Sequence, residues 1–369
     1  PLVIEVIGGD ARPVADAVVK AQLVRHAFEF GTAVNPNGLV RPTEKSHEIR
    51  RQKMLELFNS GTFYNHLKWP AWVGAWGDFH SREITMEGLK WFRDNGLAFR
   101  GHVLIWPSYR NLPSFMRKVA DDPEAIRKLC LAHIDEIAAA TSEYVQEWDV
   151  VNEPYDNHDL MDICGNEVMV EWFKRAAERL PGVRLALNDY SLLTPLADTR
   201  KQAAFEETVK MLLDAGAPLH VLGLQGHFGG TLPSPERIYA TLDRFAKLGL
   251  PLRVTEYDIG SDEAELKYAF TRDLLMTVYS HPAVIGWQTW GISNIVKEDG
   301  SFTPEGQAFY ELVHQKWKTA VELATDAQGR VEARGHLGRY RVEISKGDRQ
   351  ATFFIDLRKD AAPSILTLP

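Results

Sequence analysis

The sequence predicts a (β/α)₈ barrel, in which eight parallel strands are surrounded by helices, together with a small accessory β-sandwich. At 369 residues the chain is longer than the length that usually folds around one hydrophobic core. From residue 27 to about residue 317, short apolar runs alternate with longer amphipathic stretches, the pattern of repeated βα units. Both termini instead show alternating strand patterns. We therefore expect the barrel over residues 27–317 and the sandwich from residues 1–26 and 318–369.

Eight apolar runs have the length expected of buried strands. They lie at residues 28–34, 61–66, 98–106, 145–152, 184–190, 220–227, 252–258 and 284–290. Helical periodicity lies between them at 83–95, 123–140, 167–180, 198–215, 234–248 and 263–280, and several of these stretches begin with a Ser or Asp cap. Eight such units in roughly 290 residues fit a barrel. An open doubly wound sheet is the alternative, but the Gly-rich turn that normally follows its first strand is missing.

The two termini share a strand and turn pattern. Residues 2–22 predict a strand, a Gly-Asp turn and a second strand, and a turn at 325–329 precedes strands at 340–345 and 351–357. Isolated hairpins are marginally stable in water, so we infer one sandwich assembled from both ends. Its pattern, with Asp326 to Gly329 followed by Gly338 to Val342, resembles carboxypeptidase-regulatory-like and other Ig-like modules.

Composition narrows the classes of ligand. The net charge is -8 and no block of Lys or Arg occurs, which argues against nucleic acid or an anionic membrane and suits a neutral or weakly acidic ligand. No apolar run approaches the roughly eighteen residues that span a bilayer. Cys130 and Cys164 form neither a metal site nor a disulfide framework, so we expect both to be unpaired. We expect a soluble monomer.

Two glutamates mark the ends of predicted strands, where barrel enzymes carry their functional groups. Glu153 follows apolar residues at the end of strand four, and Glu256 does so in strand seven. A single carboxylate there could be an inert, salt-bridged group. A pair facing one cleft can cleave a glycosidic bond, and a separation of about 5 to 5.5 Å gives retention. Asn152 beside Glu153 offers an amide to a sugar hydroxyl, and His227 could keep Glu256 ionised.

These motifs resemble glycoside hydrolase family 10, the endo-β-1,4-xylanase family. The strand-four segment 148–153 and the strand-seven segment 254–258 carry the resemblance, and further matches follow in order along the chain. They are residues 30–34, 58–59, Asn65 with 68–69, 100–106, 188–190, 225–228 and 290–291. The resemblance spans residues 28 to 310 and implies a xylanase-like hydrolase acting on xylan, without a cofactor or a metal.

The resemblance also implies residue roles. Glu153 would be the general acid/base, Glu256 the nucleophile, His227 the hydrogen-bond partner of Glu256, and Asn152 the ligand of the sugar 2-hydroxyl. The substrate-binding residues would be Tyr64, Asn65, Lys68, His102, Trp106, Tyr190, Gln225 and Trp290. Tryptophan rings suit the apolar faces of sugars, and amides, lysine and histidine suit hydroxyls. Because such a polymer is extracellular, we expect a secreted or periplasmic protein whose targeting segment has been removed.

The chain departs from the family pattern on the glycone side, the side of the cleft that holds the non-reducing end of the substrate. Tyr64 replaces a Glu, Pro107 replaces a His, and residues 291–300 lack the second Trp that the family commonly has after strand eight. Residues 69–76 place three Trp in one predicted rim loop, where they could offer other stacking surfaces. The substrate could therefore be decorated xylan or another β-glycan.

Two other classes of function stay open. A non-catalytic glycan-binding barrel would keep the cleft without turnover, and a metal-dependent hydrolase would use His102, His227 and nearby acids. The metal alternative lacks a close pair of histidine ligands in the sequence.

Overall fold

A computed structural model describes residues 1–194 and 199–369. Contacts between residues divide the chain into two compact units, Glu29–Phe309 on the one hand and Pro1–Phe28 with Tyr310–Pro369 on the other. The division into two domains with boundaries at residues 26/27 and 317/318, expected from the sequence, stays a prediction.

The larger unit is a closed barrel of eight parallel strands with surrounding helices, which confirms the predicted (β/α)₈ fold. In order, barrel strands one to eight are Glu29–Val34, Ser60–Phe63, Ala98–Gly101, Glu147–Asn152, Arg184–Asp189, Val221–Leu224, Leu252–Gly260 and Val284–Thr289. Each strand pairs with its successor, and strand eight pairs with strand one. A short strand, His227–Gly229, pairs with the end of strand seven. All strand ends that carry the predicted site residues therefore lie at one face of the barrel.

The helices of this unit follow the predicted alternation. They are Pro36–Val40, Lys45–Leu57, Trp69–Trp72, Arg82–Asp94, Pro123–Thr141, Asp159–Cys164, Val168–Arg179, Arg200–Asp214, Pro235–Ala246, Ala264–Ser280 and Pro304–Phe309, with 3₁₀ turns at Asp78–His80, Ser114–Val119 and Ile292–Asn294. Ser81, Asp122 and Ser234 accept hydrogen bonds from backbone N–H groups of the first turn, as their cap positions predict. The predicted helix start at Asp198 lies outside the described residues.

The prediction that residues 69–76 form a rim loop whose three tryptophans offer stacking surfaces is wrong for two of the three. Trp69 and Trp72 lie in a short helix and are 4% and 1% exposed, respectively. Trp69 stacks on His133 with ring centroids 4.2 Å apart, and the Arg82 guanidinium lies 4.5 Å from the ring centroid of Trp72. Trp76 alone of the three is exposed. Two of these rings serve packing, because large apolar rings are stabilised by removal from water.

The smaller unit consists of two sheets. Leu2–Gly8, Arg330–Ala333 and Ser364–Leu368 form one sheet, and Val18–His26, Ala320–Ala324, Gly338–Lys346 and Arg349–Leu357 form the other. Apolar side chains from both sheets, among them Val6, Val19 and Tyr340, share one hydrophobic core. The first two strands lie in different sheets and do not pair as a hairpin. A π-helical segment, Tyr310–Lys316, also belongs to this unit, and its likeness to Ig-like modules stays a prediction.

Two further predictions concern the cysteines and the membrane. Cys130 and Cys164 form no disulfide, as expected, and both are buried. Within residues 1–194 and 199–369, every helix is too short or too polar to cross a bilayer.

Candidate active site

Both strands that carry the candidate carboxylates are irregular close to them. The pairing of strand four with strand five shifts register between Asp149 and Val151, and the pairing of strand seven with strand eight shifts between Val254 and Tyr257. Such bulges re-aim side chains and are common beside active sites. Glu153 lies two residues beyond the first irregularity, Glu256 lies within the second, and both side chains line the same cavity.

Glu153 follows strand four in a left-handed conformation with φ of 54°, which L residues rarely adopt. Its backbone N–H donates to the carbonyl of Asn188 at 2.7 Å, and its own carbonyl accepts from the N–H of Asn157 at 3.0 Å. Three neutral donors hold its carboxylate. Gln225 Nε2 lies 2.9 Å from Oε1, and Asn157 Nδ2 and Trp106 Nε1 lie 3.1 and 3.2 Å from Oε2.

Glu256 is only 4% exposed, and both of its oxygens accept hydrogen bonds. Asn188 Nδ2 lies 2.9 Å from Oε1, and His227 Nε2 lies 3.2 Å from Oε2. Burial opposes ionisation, but the hydrogen bond from His227 and the positive charges of His102, His227 and Arg100 lower the pKa of Glu256 to about 2. Glu256 is therefore a carboxylate at any physiological pH.

His227 lies between two carboxylates. Its Nδ1 is 2.8 Å from Asp258 Oδ2 and its Nε2 faces Glu256, so both ring nitrogens donate. Burial alone would lower the pKa of His227, but the hydrogen bonds and charges of Asp258 and Glu256 raise it to about 10. The imidazolium is the positive partner that keeps the buried Glu256 ionised.

A chain of amide side chains connects the two carboxylates. Asn188 donates to Glu256 and also to Asn152 Oδ1 at 2.8 Å, and Gln225 donates to Glu153 and to the same Asn152 oxygen at 3.2 Å. Thr255 Oγ1 donates to Asn188 Oδ1 at 2.8 Å, which fixes the orientation of that amide. Asn152 Nδ2 is buried and has no acceptor among the residues that the structure describes. Its capacity to donate a hydrogen bond is therefore unused within the protein.

Most of the predicted site residues line one cavity of about 310 Å³, the catalytic cavity. Its lining residues are Lys68, His102, Trp106, Arg110, Glu153, Tyr190, Gln225, His227, Glu256 and Trp290. Asn152 lies fully buried in the amide chain behind the cavity lining. Sequence reasoning did not select Arg110 or Asn188 as site residues. Asn188 could have been selected, because residues 188–190 are one of the segments that resemble the family.

Tyr64 and Asn65 line an adjoining cavity of about 210 Å³, the middle cavity, which shares Lys68 and Trp290 with the catalytic cavity. Lys68 Nζ donates to Asn65 Oδ1 at 2.9 Å and lies 4.9 Å from the ring centroid of Trp106. Burial lowers the pKa of Lys68, although the charges of Glu256 and Glu153 oppose the shift. The two cavities thus form a continuous polar path lined by aromatic rings.

His102 is held by its own carboxylate partner. Its Nδ1 lies 2.8 Å from Asp149 Oδ2, and Asp149 also pairs with Arg100. In the described part of the chain, no group of three His, Cys, Asp or Glu side chains is placed to bind a metal ion. His102 and His227 instead contact carboxylates and the edge of the Trp290 ring.

Tyr64 replaces the expected glutamate without filling its chemical role. Its ring packs edge-on against Trp290 with centroids 5.6 Å apart, and its hydroxyl lies 2.5 Å from where a Cβ at Gly291 would be. Gly291 has φ of 143°, so both space and backbone favour glycine there. Burial raises the pKa of Tyr64 to about 12. Position 64 therefore offers a neutral hydroxyl to a ligand where a glutamate would offer a charge.

Comparison with known proteins finds a matching family and related sequences. The family model described as Glycosyl hydrolase family 10 matches residues 19–305. The beta-1,4-xylanase of Dictyoglomus thermophilum is 34% identical over 215 residues, which cover 55% of this chain and 57% of that protein. The anti-sigma-I factor RsgI6 of Acetivibrio thermocellus is 26% identical over 357 residues, which cover 93% of this chain and 44% of that protein. The chain thus spans about half the length of these relatives.

Among solved structures, the crystal structure of xylanase 10B from Thermotoga petrophila RKU-1 in complex with xylobiose superposes with a TM-score of 0.68. The identity is 22%, and the match covers 79% of this chain and 95% of that chain. At this level of identity the likeness concerns the fold.

Proposed function

The chain belongs to glycosyl hydrolase family 10, and from that premise we propose that it cleaves internal β-1,4 linkages of a xylan-type polysaccharide with net retention. The observation that carries the proposal is the amide chain through Asn188, Asn152 and Gln225, which holds Glu256 and Glu153 in one cavity. A pair of carboxylates on one cleft is the constellation that glycosidic cleavage requires.

In the first step Glu256 attacks the anomeric carbon while Glu153 protonates the departing glycosidic oxygen. Glu256 suits the nucleophile because it is ionised and held by Asn188 and His227. A bond forms between a Glu256 oxygen and the anomeric carbon as the bond to the leaving oxygen breaks. Glu153, half-buried among neutral donors, suits a group that gives up a proton and regains it.

In the second step a water molecule attacks the anomeric carbon, and Glu153, now a carboxylate, takes its proton. The sugar leaves Glu256 with its original configuration because two inversions have occurred. Between the steps His227 stays protonated, since Asp258 still accepts its other N–H. The free Nδ2 donor of Asn152 suits the sugar 2-hydroxyl, a contact that strengthens as the transition state forms.

Several side chains would position the sugar rings. Trp106 and Trp290 border the catalytic cavity with Lys68 and Gln225, and these groups combine stacking surfaces with donors for hydroxyls. Xylan as the substrate is supported by the names of the relatives, a beta-1,4-xylanase and a xylanase bound to xylobiose. Endo action is supported by the middle cavity, which extends the path beyond the catalytic cavity. A polymer substrate also favours a secreted or periplasmic enzyme.

Covalent labelling tests this proposal directly. An aryl 2-deoxy-2-fluoro-β-xylobioside should inactivate the enzyme and attach to Glu256 in peptide mass spectrometry, and the first product of aryl xylobioside hydrolysis should be the β-anomer by NMR. Turnover of the aryl xylobioside with an α-anomeric first product, or a label on another residue, would contradict the mechanism. Binding of a β-glycan panel without hydrolysis of any member would favour the glycan-binding alternative.

A further inference from the structure

A third cavity continues the path beyond Tyr64, and we call it the Arg50 cavity. It has a volume of about 250 Å³, and its lining includes Asn35, His47, Arg50, Tyr64, Phe79 and Ser293. Asn35, Tyr64 and Phe79 also line the middle cavity, so the two cavities meet at these side chains. The Arg50 cavity therefore lies on the glycone side, separated from the catalytic cavity by the middle cavity.

The positive charge of Arg50 is poorly compensated. Its Nε is buried and has no acceptor within residues 1–194 and 199–369. Its ion-pair partner is Glu298, 3.8 Å away, whose side chain is 83% exposed. An exposed pair at that distance contributes little, because water and salt screen it. A buried guanidinium N–H without an acceptor is costly, so this group is suited to an anionic ligand.

The other polar groups of the cavity are also donors or neutral. His47 Nδ1 accepts from the backbone N–H of Thr43 at 3.3 Å, so the other ring nitrogen, Nε2, carries a proton and is a donor. Tyr64 contributes a neutral hydroxyl where the family pattern has a glutamate. A glutamate at position 64 would put a carboxylate of the protein near Arg50. Because position 64 is a tyrosine, a carboxylate of the ligand can take that place beside Arg50.

We propose that the Arg50 cavity binds the carboxylate of a uronic acid residue carried by the glycan in the cleft, as a branch on the main chain. The guanidinium can hold a carboxylate through two parallel hydrogen bonds, and Phe79 can pack against the apolar face of the sugar ring. This inference rests on the proposed function, since it takes the occupant of the cleft to be a β-glycan. It names the decoration that this enzyme selects.

The test compares three xylo-oligosaccharides of equal main-chain length. One carries a glucuronic acid branch, one carries the same branch reduced to glucose, and one is unbranched. The wild-type enzyme should show a KM for the acidic substrate about 10- to 100-fold below that for the reduced one, the range of a charge-assisted hydrogen bond. Arg50→Gln should remove this difference while kcat stays unchanged, and Arg50→Lys should keep part of it.

Arg51→Gln is the matched control, because Arg51 lies on the same helix but outside the cavity. It should behave as wild type. Equal KM values for the acidic and reduced branches on the wild-type enzyme overturn the inference, and this comparison needs no variant. A β-1,4-linked glucuronan oligomer tests whether the carboxylate belongs to the main chain instead. If Arg50 lowers the KM for this oligomer and not for the branched substrate, the assignment to a branch is wrong.

Equilibrium binding to Glu256→Ala separates this inference from the proposed function. Calorimetry on that variant measures affinity for the three oligosaccharides without turnover. Preference for the acidic branch together with no hydrolysis by wild type would refute the proposed activity and support the Arg50 site. Hydrolysis of unbranched chains with equal affinity for the acidic and reduced branches would support the proposed activity and refute the Arg50 site.

Discussion

The catalytic cavity and the region around Tyr64 and Arg50 differ in how firmly each polar group is held. In the catalytic cavity, Glu256 and Glu153 each accept hydrogen bonds from side chains of several barrel strands or the loops that follow them. In the other region, Tyr64 packs against one ring and Arg50 has one long ion pair. The first region matches the family pattern at the candidate catalytic residues, and the second departs from it at Tyr64.

This difference has a physical basis. A charged group in a shared hydrogen-bond network cannot be changed alone, because each loss leaves a buried partner unsatisfied. A side chain with one weak contact can be replaced by another residue at little cost in stability. We therefore expect substitutions in the catalytic cavity to slow hydrolysis of every glycan, and substitutions near Tyr64 to change the order of preference among glycans.

The largest effect should follow Glu256→Ala. Without the nucleophile, kcat should fall by roughly 10⁵-fold or more on every substrate, as for other enzymes that lose the attacking group. Initial rates on xylan and on an aryl xylobioside measure it. Glu263→Ala, an exposed glutamate just after the same strand, should leave the rates unchanged. A fall in kcat on one glycan but not on the others would contradict the expectation that the catalytic cavity serves every substrate.

Glu153→Ala should come next and should depend on the leaving group. Loss of a general acid costs about 10²- to 10⁴-fold. We expect that cost on xylan but a much smaller one in the first step with a 2,4-dinitrophenyl xylobioside, which needs no protonation to leave. Pre-steady-state kinetics should then show a burst of phenolate, because the second step lacks its base. Equal losses in the first step for both leaving groups would show that Glu153 has another role.

His227→Gln should reduce kcat by about 10- to 100-fold, the value of a hydrogen bond between charged groups. The acidic limb of the kcat/KM profile should also move to higher pH, because the hydrogen bond from His227 is the largest of the contacts that lower the pKa of Glu256. His158→Gln, which removes an exposed histidine paired with Asp162, is the control. An unchanged acidic limb would mean that Glu256 does not depend on His227.

The same substitution has a consequence for stability. The pKa of His227 is raised from 6.5 to about 10, so the stability it contributes is fully present below pH 6.5 and is lost as the pH rises to about 10. The melting temperature of the wild type should therefore fall between those values more steeply than that of His227→Gln. Parallel melting curves across this range would contradict the charged state assigned to His227.

The smallest effect should follow Tyr64→Glu, which restores the residue type of the family pattern beside Arg50. The new carboxylate should pair with Arg50 and weaken binding of an acidic branch by about tenfold, as expected when a charged group gains a competing partner. The kcat on unbranched chains should stay the same. KM measurements on both substrates test this, with Tyr64→Phe as the matched control. A change in kcat on both substrates would place Tyr64 in the catalytic machinery.

Local patterns in the sequence were enough to predict the barrel and to assign the candidate carboxylates to strands four and seven. Apolar runs and helical periods repeat within ten to twenty residues, so they can be read without knowing the fold. The unpaired state of Cys130 and Cys164 was predicted from the number of cysteines alone. Lys45–Leu57, by contrast, is a helix that the sequence pattern did not reveal, because Met54 and Leu57 are its only buried residues.

The tertiary structure decided the contacts that join distant parts of the chain. Asn188 reaches Glu256 across 68 positions, and Gln225 reaches Glu153 across 72. Register shifts in strands four and seven, the burial of Trp69 and the meeting of Arg50 with Tyr64 in one cavity also depend on which elements pack together. The sequence by itself determined that one glutamate directly follows strand four and that the other lies in strand seven. Folding decided which donors keep Glu256 ionised and that Arg50 lines a cavity beside Tyr64, because hydrogen bonds and burial depend on neighbours in space.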